Sequence, residues 1–186
     1  KHLIGGYTSD IGTYRLIDTT EKLQEYLNTI LSSNCKYVAI DTETTSLSNR
    51  EGFVIGICMS HIEKEGVYIT TECIDEKCEI LFQNIFNTKT MVFWNAKFDM
   101  HFLEYNFRFV FPNWEDGMLI HYLLNENESH KLKDVVMKYT DMGDYDTELE
   151  QYKLKDSRRR GIPVDNYTYD LIPVEIITQY AGADAD

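Results

Sequence analysis

The chain has 186 residues, 43% hydrophobic and 13% aromatic, enough apolar mass for one domain with its own core and too much for a disordered polypeptide. Its 31 acidic residues against 18 basic ones leave a net charge of -13. Tight gripping of long duplex DNA through phosphate contacts alone is therefore excluded, and nucleic acid is expected to bind weakly or only as a short single-stranded end.

In chain order, residues 1–12 are polar and contain glycine, a loose lead-in to a single domain over 13–186. Asp18-Thr19-Thr20-Glu21 reads as a capped helix start. Leu23, Tyr26, Leu27, Ile30 and Leu31 then repeat with helical period. Lys36 to Thr42 reads as a strand, and Phe53 to Ile62 and Val67 to Thr71 as two more, joined by the polar turn Glu63-Lys64-Glu65-Gly66. Cys78, Leu81, Phe82, Ile85 and Phe86 mark a second amphipathic helix. Thr90 to Trp94 is a short apolar strand, after which Asn95 is expected to cap a helix ending near Asn106. Leu119, Tyr122 and Leu123 form one apolar stripe, and Leu132, Val135, Val136 and Tyr139 another. Residues 140–171 are charged and tyrosine-rich with weak periodicity, which predicts a helix plus a long loop. The basic run Lys153 to Arg160 inside them reads first as a solvated helix face, second as a backbone-contact patch. Pro173 suits the first residue of a last helix. Three early strands, a fourth after a helical crossover, then helices, point to an α/β fold with a mixed sheet flanked by helices.

No apolar stretch approaches the roughly 20 residues of a membrane helix, so no membrane contact is expected. Cys35, Cys58, Cys73 and Cys78 form no C-x-x-C pair, and no histidine sits at zinc-finger spacing. They read as reduced, mostly buried thiols of an intracellular protein.

Three acidic signatures carry the chemistry: Asp41-Thr42-Glu43, Asn95-Ala96-Lys97-Phe98-Asp99 and Tyr180-Ala181-Gly182-Ala183-Asp184. Singly, each has a bland reading: an acidic strand end, a charge favoured by a helix N-terminus, a tyrosine beside a surface aspartate. Strand alternation puts Asp41 and Glu43 on one side, with Thr42 on the other. Helical spacing puts Tyr180 and Asp184 on one face. Strand end, helix start and late helix can converge at one end of a sheet, and four carboxylates suit Mg²⁺ or Mn²⁺ rather than zinc. No Ser/His/Asp order, reactive-cysteine context or G-x-x-x-x-G-K-[ST] phosphate loop competes.

The segments V-A-I-D-T-E-T-T-S-L (38–47), W-N-A-K-F-D (94–99) and Y-A-G-A-D-A-D (180–186) resemble the three motifs of DEDDy 3′–5′ exonucleases. More closely, the chain resembles the proofreading domain of family A DNA polymerases of bacteriophage and bacterial type. The stretch Asp116 to Asn125 with Ser129 to Asp134, and Ile172-Pro173, match supporting segments. The resemblance implies an RNase H-like fold with a mixed five-stranded sheet, and a two-metal hydrolysis that releases 5′-mononucleotides from a single-stranded 3′ DNA end. It implies Asp41, Glu43, Asp99 and Asp184 as ligands of two Mg²⁺ (or Mn²⁺) ions, with Tyr180 and Glu43 orienting the attacking water. Leu47 would wedge against the terminal bases, and Asn95 and Thr42 would contact the substrate. It further implies a polymerase domain in the parent chain, a monomer, and the cytoplasm of a bacterial or phage-infected cell. The alternatives are an RNase D-like or helicase-associated DEDDy exonuclease, or a catalytically silent exonuclease-like module. The family continues its last helix beyond the third motif, so Asp184, two residues before the final Asp186, is expected to be held loosely.

Overall fold

The computed structural model describes residues 12–186; apart from Gly12, the expected lead-in lies outside the described residues. Among these residues the sheet has six strands rather than five: β1 (Thr13–Ile17), β2 (Tyr37–Thr44), β3 (Val54–Ile62), β4 (Glu65–Thr70), β5 (Thr90–Phe93) and β6 (Trp114–Asp116). They lie in the order β1-β4-β3-β2-β5-β6. The β2/β3 and β3/β4 pairs are antiparallel, while β1/β4, β2/β5 and β5/β6 are parallel. The two edge strands escape a pattern reading because β1 has five residues and β6 three. Such short pieces are strands through the neighbours they pair with, not through their own periodicity.

Seven α-helices lie among the described residues, besides three short 3₁₀ turns: α1 (Thr20–Ser32), α2 (Glu76–Thr88), α3 (Ala96–Phe107), α4 (Gly117–Leu124), α5 (Leu132–Tyr139), α6 (Thr147–Arg160) and α7 (Val174–Ala185). Thr19 caps α1 by accepting the Lys22 N–H at 3.3 Å. Pro173 stands just before α7 rather than inside it. One core joins Leu23, Leu27 and Ile30 of α1, Phe82, Ile85 and Phe86 of α2, and Phe102 and Leu103 of α3 to Val38, Ile40, Ile57, Met59, Val67 and Ile69 of the sheet. The opposite face carries Cys58 and Tyr68, covered by Leu149 of α6 and by Ile177, Ala181 and Ala185 of α7. Because strand side chains alternate, Val38 and Ile40 facing the first core turn Asp41 and Glu43 toward the α6/α7 side and Thr42 toward α3.

The small residues around the third motif let α7 lie close on the sheet. A Cβ on Gly182 would come within 2.7 Å of Tyr14 Cβ, and one on Gly66 within 2.3 Å of the Gly182 carbonyl oxygen. The expected looseness at Asp184 is therefore not found. The last turn is pinned by the Asp186 carboxylate, which accepts the Lys64 N–H at 2.7 Å and the Tyr14 O–H at 2.9 Å. Gly182→Ala should force α7 off β1 and β4 and lower the unfolding free energy by about 1–3 kcal/mol in urea denaturation. An unchanged midpoint would contradict this close approach.

Candidate active site

β2 and β5 run parallel and pair from Tyr37 opposite Thr90 to Ala39 opposite Val92. β5 then ends, and the chain turns through Asn95 into α3, while β2 runs on without it. Asp41 and Glu43 sit on this overhang, at the carboxyl ends of two parallel strands, where open α/β sheets form crevices. On its other edge β2 stays paired, with Asp41 opposite Cys58 and Glu43 opposite Gly56, and the register shifts between Glu43 and Thr44. One ligand atom from each of Asp41, Glu43 and Cys58 lies within 4.8 Å of the others.

Asp99 enters from the α3 side. It is buried in the first turn of the helix, and its Oδ1 accepts the Thr42 N–H at 3.0 Å and the Thr42 hydroxyl at 2.6 Å. Thr42 lines the cleft, but its hydroxyl is committed to this carboxylate. Asn95 corrects the sequence reading. It stands at the N-cap position of α3 in the left-handed region (φ 69°), and its side chain makes no capping bond. The cap comes instead from Asp116, at the end of β6. This buried carboxylate accepts the N–H groups of Asn95 at 3.1 Å and Ala96 at 2.9 Å, and caps its own helix α4 through the Met118 N–H at 2.9 Å. A tolerated left-handed asparagine thus makes the sharp turn, and Asp116 fixes the direction in which α3 presents Asp99.

Tyr180 and Asp184 come from one face of α7. The Tyr145 hydroxyl donates to Asp184, and the Tyr145 ring lies nearly parallel to Tyr180 with centroids 6.2 Å apart. Tyr169 meets Tyr180 edge-on at 6.1 Å. Burial raises all four carboxyl pKa values. Asp41 is pushed well up by burial, then by the charges of Asp99 and Asp184. Glu43 is pushed well up by burial and by the other three acids, with the Lys153 charge opposing. Burial lifts Asp99 to about 7 against the two Thr42 hydrogen bonds, and Asp184 to about 6 against the phenols of Tyr145 and Tyr180. Burial also raises the Tyr180 phenol well above its usual value, which keeps it a proton donor.

A cleft of about 720 Å³ opens over this group, bounded among others by Asp41, Glu43, Leu47, Phe98, Lys153 and Tyr180. Leu47 stands at its rim, 91% exposed. On the other side of Asp41, Tyr180 and Asp184 lies a second cavity of about 640 Å³, reached by Trp94, Asn95, Lys131 and Tyr145. Of the residues picked from sequence, Asp41, Thr42, Glu43, Leu47, Tyr180 and Asp184 line the first cleft and Asn95 only the second, while Asp99 is buried behind Thr42 and lines neither. Pattern reading missed Tyr145, Tyr169 and Lys153, which lie in the weakly periodic segment, and Cys58, which only the hairpin register places opposite Asp41. Asp116 figured only as one end of a similar stretch, although an aspartate immediately before a glycine and an apolar helical run is an N-cap signal.

The donor set fits a divalent cation. Four buried carboxyls that resist ionising together are what a hard, oxygen-preferring ion relieves, whereas burial keeps the nearby Cys58 thiol protonated. These carboxyls bind protons more tightly folded than unfolded, so their stabilisation is full below about pH 4 and is lost as pH rises through about 6 and 7. The chelated protein should melt at a higher temperature at pH 5 than at pH 8, and Mg²⁺ should recover the difference at pH 8 while doing little at pH 5. An equal Mg²⁺ effect at both pH values would mean that these carboxyls do not hold the ion.

The profile of a 3′-5′ exonuclease family matches residues 14–186. The DNA polymerase of Escherichia phage T5 is 40% identical over 184 residues, covering 94% of this chain and 22% of the relative. DNA polymerase I of Borreliella burgdorferi is 30% identical over 180 residues, covering 93% and 18%. The chain thus spans about a fifth of the length of these curated relatives. Among solved structures, Escherichia coli RNase D shares the fold with a TM-score of 0.70 at 14% identity, over 92% of this chain and 41% of that one. The catalytic core of Trypanosoma brucei RRP6 does so at 0.61 and 20%, over 94% and 46%. An RNase H-like sheet, three motifs converging at its end and a profile match over nearly the whole length make this chain a member of the 3′-5′ exonuclease family found in DNA polymerases.

Proposed function

We propose that residues 13–186 form the proofreading exonuclease domain of a DNA polymerase, removing 5′-mononucleotides from a single-stranded 3′ DNA end in the cytoplasm of a bacterial or phage-infected cell. The observation that carries this reading is the convergence of Asp41, Glu43, Asp99 and Asp184 on the β2 overhang, each with its carboxyl pKa raised. The length of the relatives supports a polymerase domain in the same parent chain.

Two Mg²⁺ or Mn²⁺ ions bound there would make an attacking water more acidic and offset charge on the attacking and departing oxygens. Asp41, Glu43 and Asp184 would hold one ion and Asp41, with Asp99, the other. Thr42 holds Asp99 by two hydrogen bonds, so its part is to keep that carboxylate in place. Tyr180, kept protonated by burial, orients the water together with Glu43. Leu47 at the rim separates the terminal bases, and its apolar side chain with Phe98 offers a sequence-tolerant surface for them. Asn95 contacts the substrate from the neighbouring cavity. The net charge of -13 fits a domain that meets only a frayed end and relies on other contacts for duplex DNA.

Asp41→Ala and Asp184→Ala should each reduce Mg²⁺-dependent release of nucleotides from labelled single-stranded DNA to background while the far-ultraviolet dichroism stays unchanged. Undiminished degradation by either variant would remove this site. RNA degraded in preference to DNA under the same conditions would favour the RNase D-like reading instead.

A further inference from the structure

The cleft over the carboxylates is lined by one cation among the described residues, Lys153 of α6. The sequence places it at the head of a basic run, yet it differs from the rest of that run. Arg159 and Arg160 are tied to the buried Asp156, which also accepts the Tyr167 hydroxyl at 2.7 Å. Lys153 instead turns inward, its side chain 14% exposed. Its Nζ lies 5.2 Å from the centroid of Tyr169, the ring that meets Tyr180 edge-on. Its charge reaches Glu43, where it opposes the push of the three other acids. The one carboxylate within ion-pair distance among the described residues is Glu150, at 3.3 Å and three residues back along α6, with a side chain 45% exposed. With its carboxylate half in water, this pair contributes little and gives no reason for the ammonium to lie in the cleft.

Charge balance supplies a reason, and it rests on the two-ion reading above. Two divalent ions cancel four carboxylates. The Lys153 ammonium, held over an aromatic face and largely out of water, then has only the half-exposed Glu150 to balance it, an incomplete compensation for a partly desolvated charge. A phosphodiester entering the cleft brings one negative charge, and more accumulates on its oxygens as the bond breaks. We propose that Lys153 is a phosphate-binding residue of the cleft, which neutralises a backbone phosphate of the 3′-terminal nucleotides of a single strand. Tyr169 would hold the ammonium in place through its ring face.

The test uses the whole chain carrying Lys153→Met, which keeps the length and apolar stem, or Lys153→Arg, which keeps the charge. Binding of a fluorescent oligothymidylate is followed by anisotropy between about 50 and 200 mM salt, with Ca²⁺ replacing Mg²⁺ to hold back hydrolysis. The Met variant should bind more weakly, by roughly 10- to 100-fold. The slope of log affinity against log salt should flatten by about 0.7, the loss of one single-strand phosphate contact. The Arg variant should keep the wild-type slope. A wild-type slope in the Met variant, or an Arg variant as flattened as the Met one, would overturn the assignment. Mg²⁺-dependent degradation by the wild type, measured alongside, separates the two readings. An inactive wild type with the slope difference intact contradicts the exonuclease function and keeps the phosphate contact, whereas an active wild type with no slope difference removes only the role of Lys153.

Discussion

Four carboxyl groups that repel one another are held in one buried place at the end of β2, and much of the structure can be understood as the means of holding them there. Burial alone would leave such groups protonated, and mutual repulsion adds to the same push. Against it stand hydrogen bonds aimed at individual oxygens: the amide and hydroxyl of Thr42 on Asp99, and the phenol of Tyr145 on Asp184. The outcome is a centre that costs stability when its carboxyls are charged and gains most from a bound cation. A centre held together at such a cost serves function rather than folding.

Backbone devices far from the carboxylates make the convergence possible. The parallel β2/β5 pair ends early and opens the crevice. Asp116, reaching back from β6, satisfies the first N–H groups of α3 that the left-handed Asn95 leaves uncapped, and so sets where Asp99 points. Across the sheet, the contact of Gly182 with Tyr14 and Gly66 lets α7 lie near enough for Asp184 to reach β2. The Asp186 clasp to Lys64 and Tyr14 holds that last turn. Two of these devices are aspartate carboxylates that hold backbone N–H groups, and one is a close approach that only glycine allows.

The four inner strands, the long amphipathic helices and the acidic motifs were readable because each rests on local pattern: alternation in β2, helical period in α1 and α2, and fixed spacing between Tyr180 and Asp184. The motifs also announced the family, since three weak signals in fixed order are jointly specific. What stayed hidden depends on pairing across the chain. β1 and β6 are too short to show a period. Cys58 faces Asp41 only through the hairpin register. Tyr145 and Lys153 reach the site from a charged segment whose helix, α6, buries Leu149, Asp156 and Ser157 without a continuous apolar stripe. The capping role given to Asn95 failed for a related reason, because its cap comes from a residue 21 positions away.

The central claim is that these four carboxyls exist to hold two divalent ions. Crystals of the chain soaked in Mn²⁺ at pH 8, with data collected near the manganese absorption edge, test it most directly. The account requires two anomalous peaks, one among Asp41, Glu43 and Asp184 and one between Asp41 and Asp99, both lost in Asp41→Asn crystals. Full manganese occupancy elsewhere with none at these residues would contradict it.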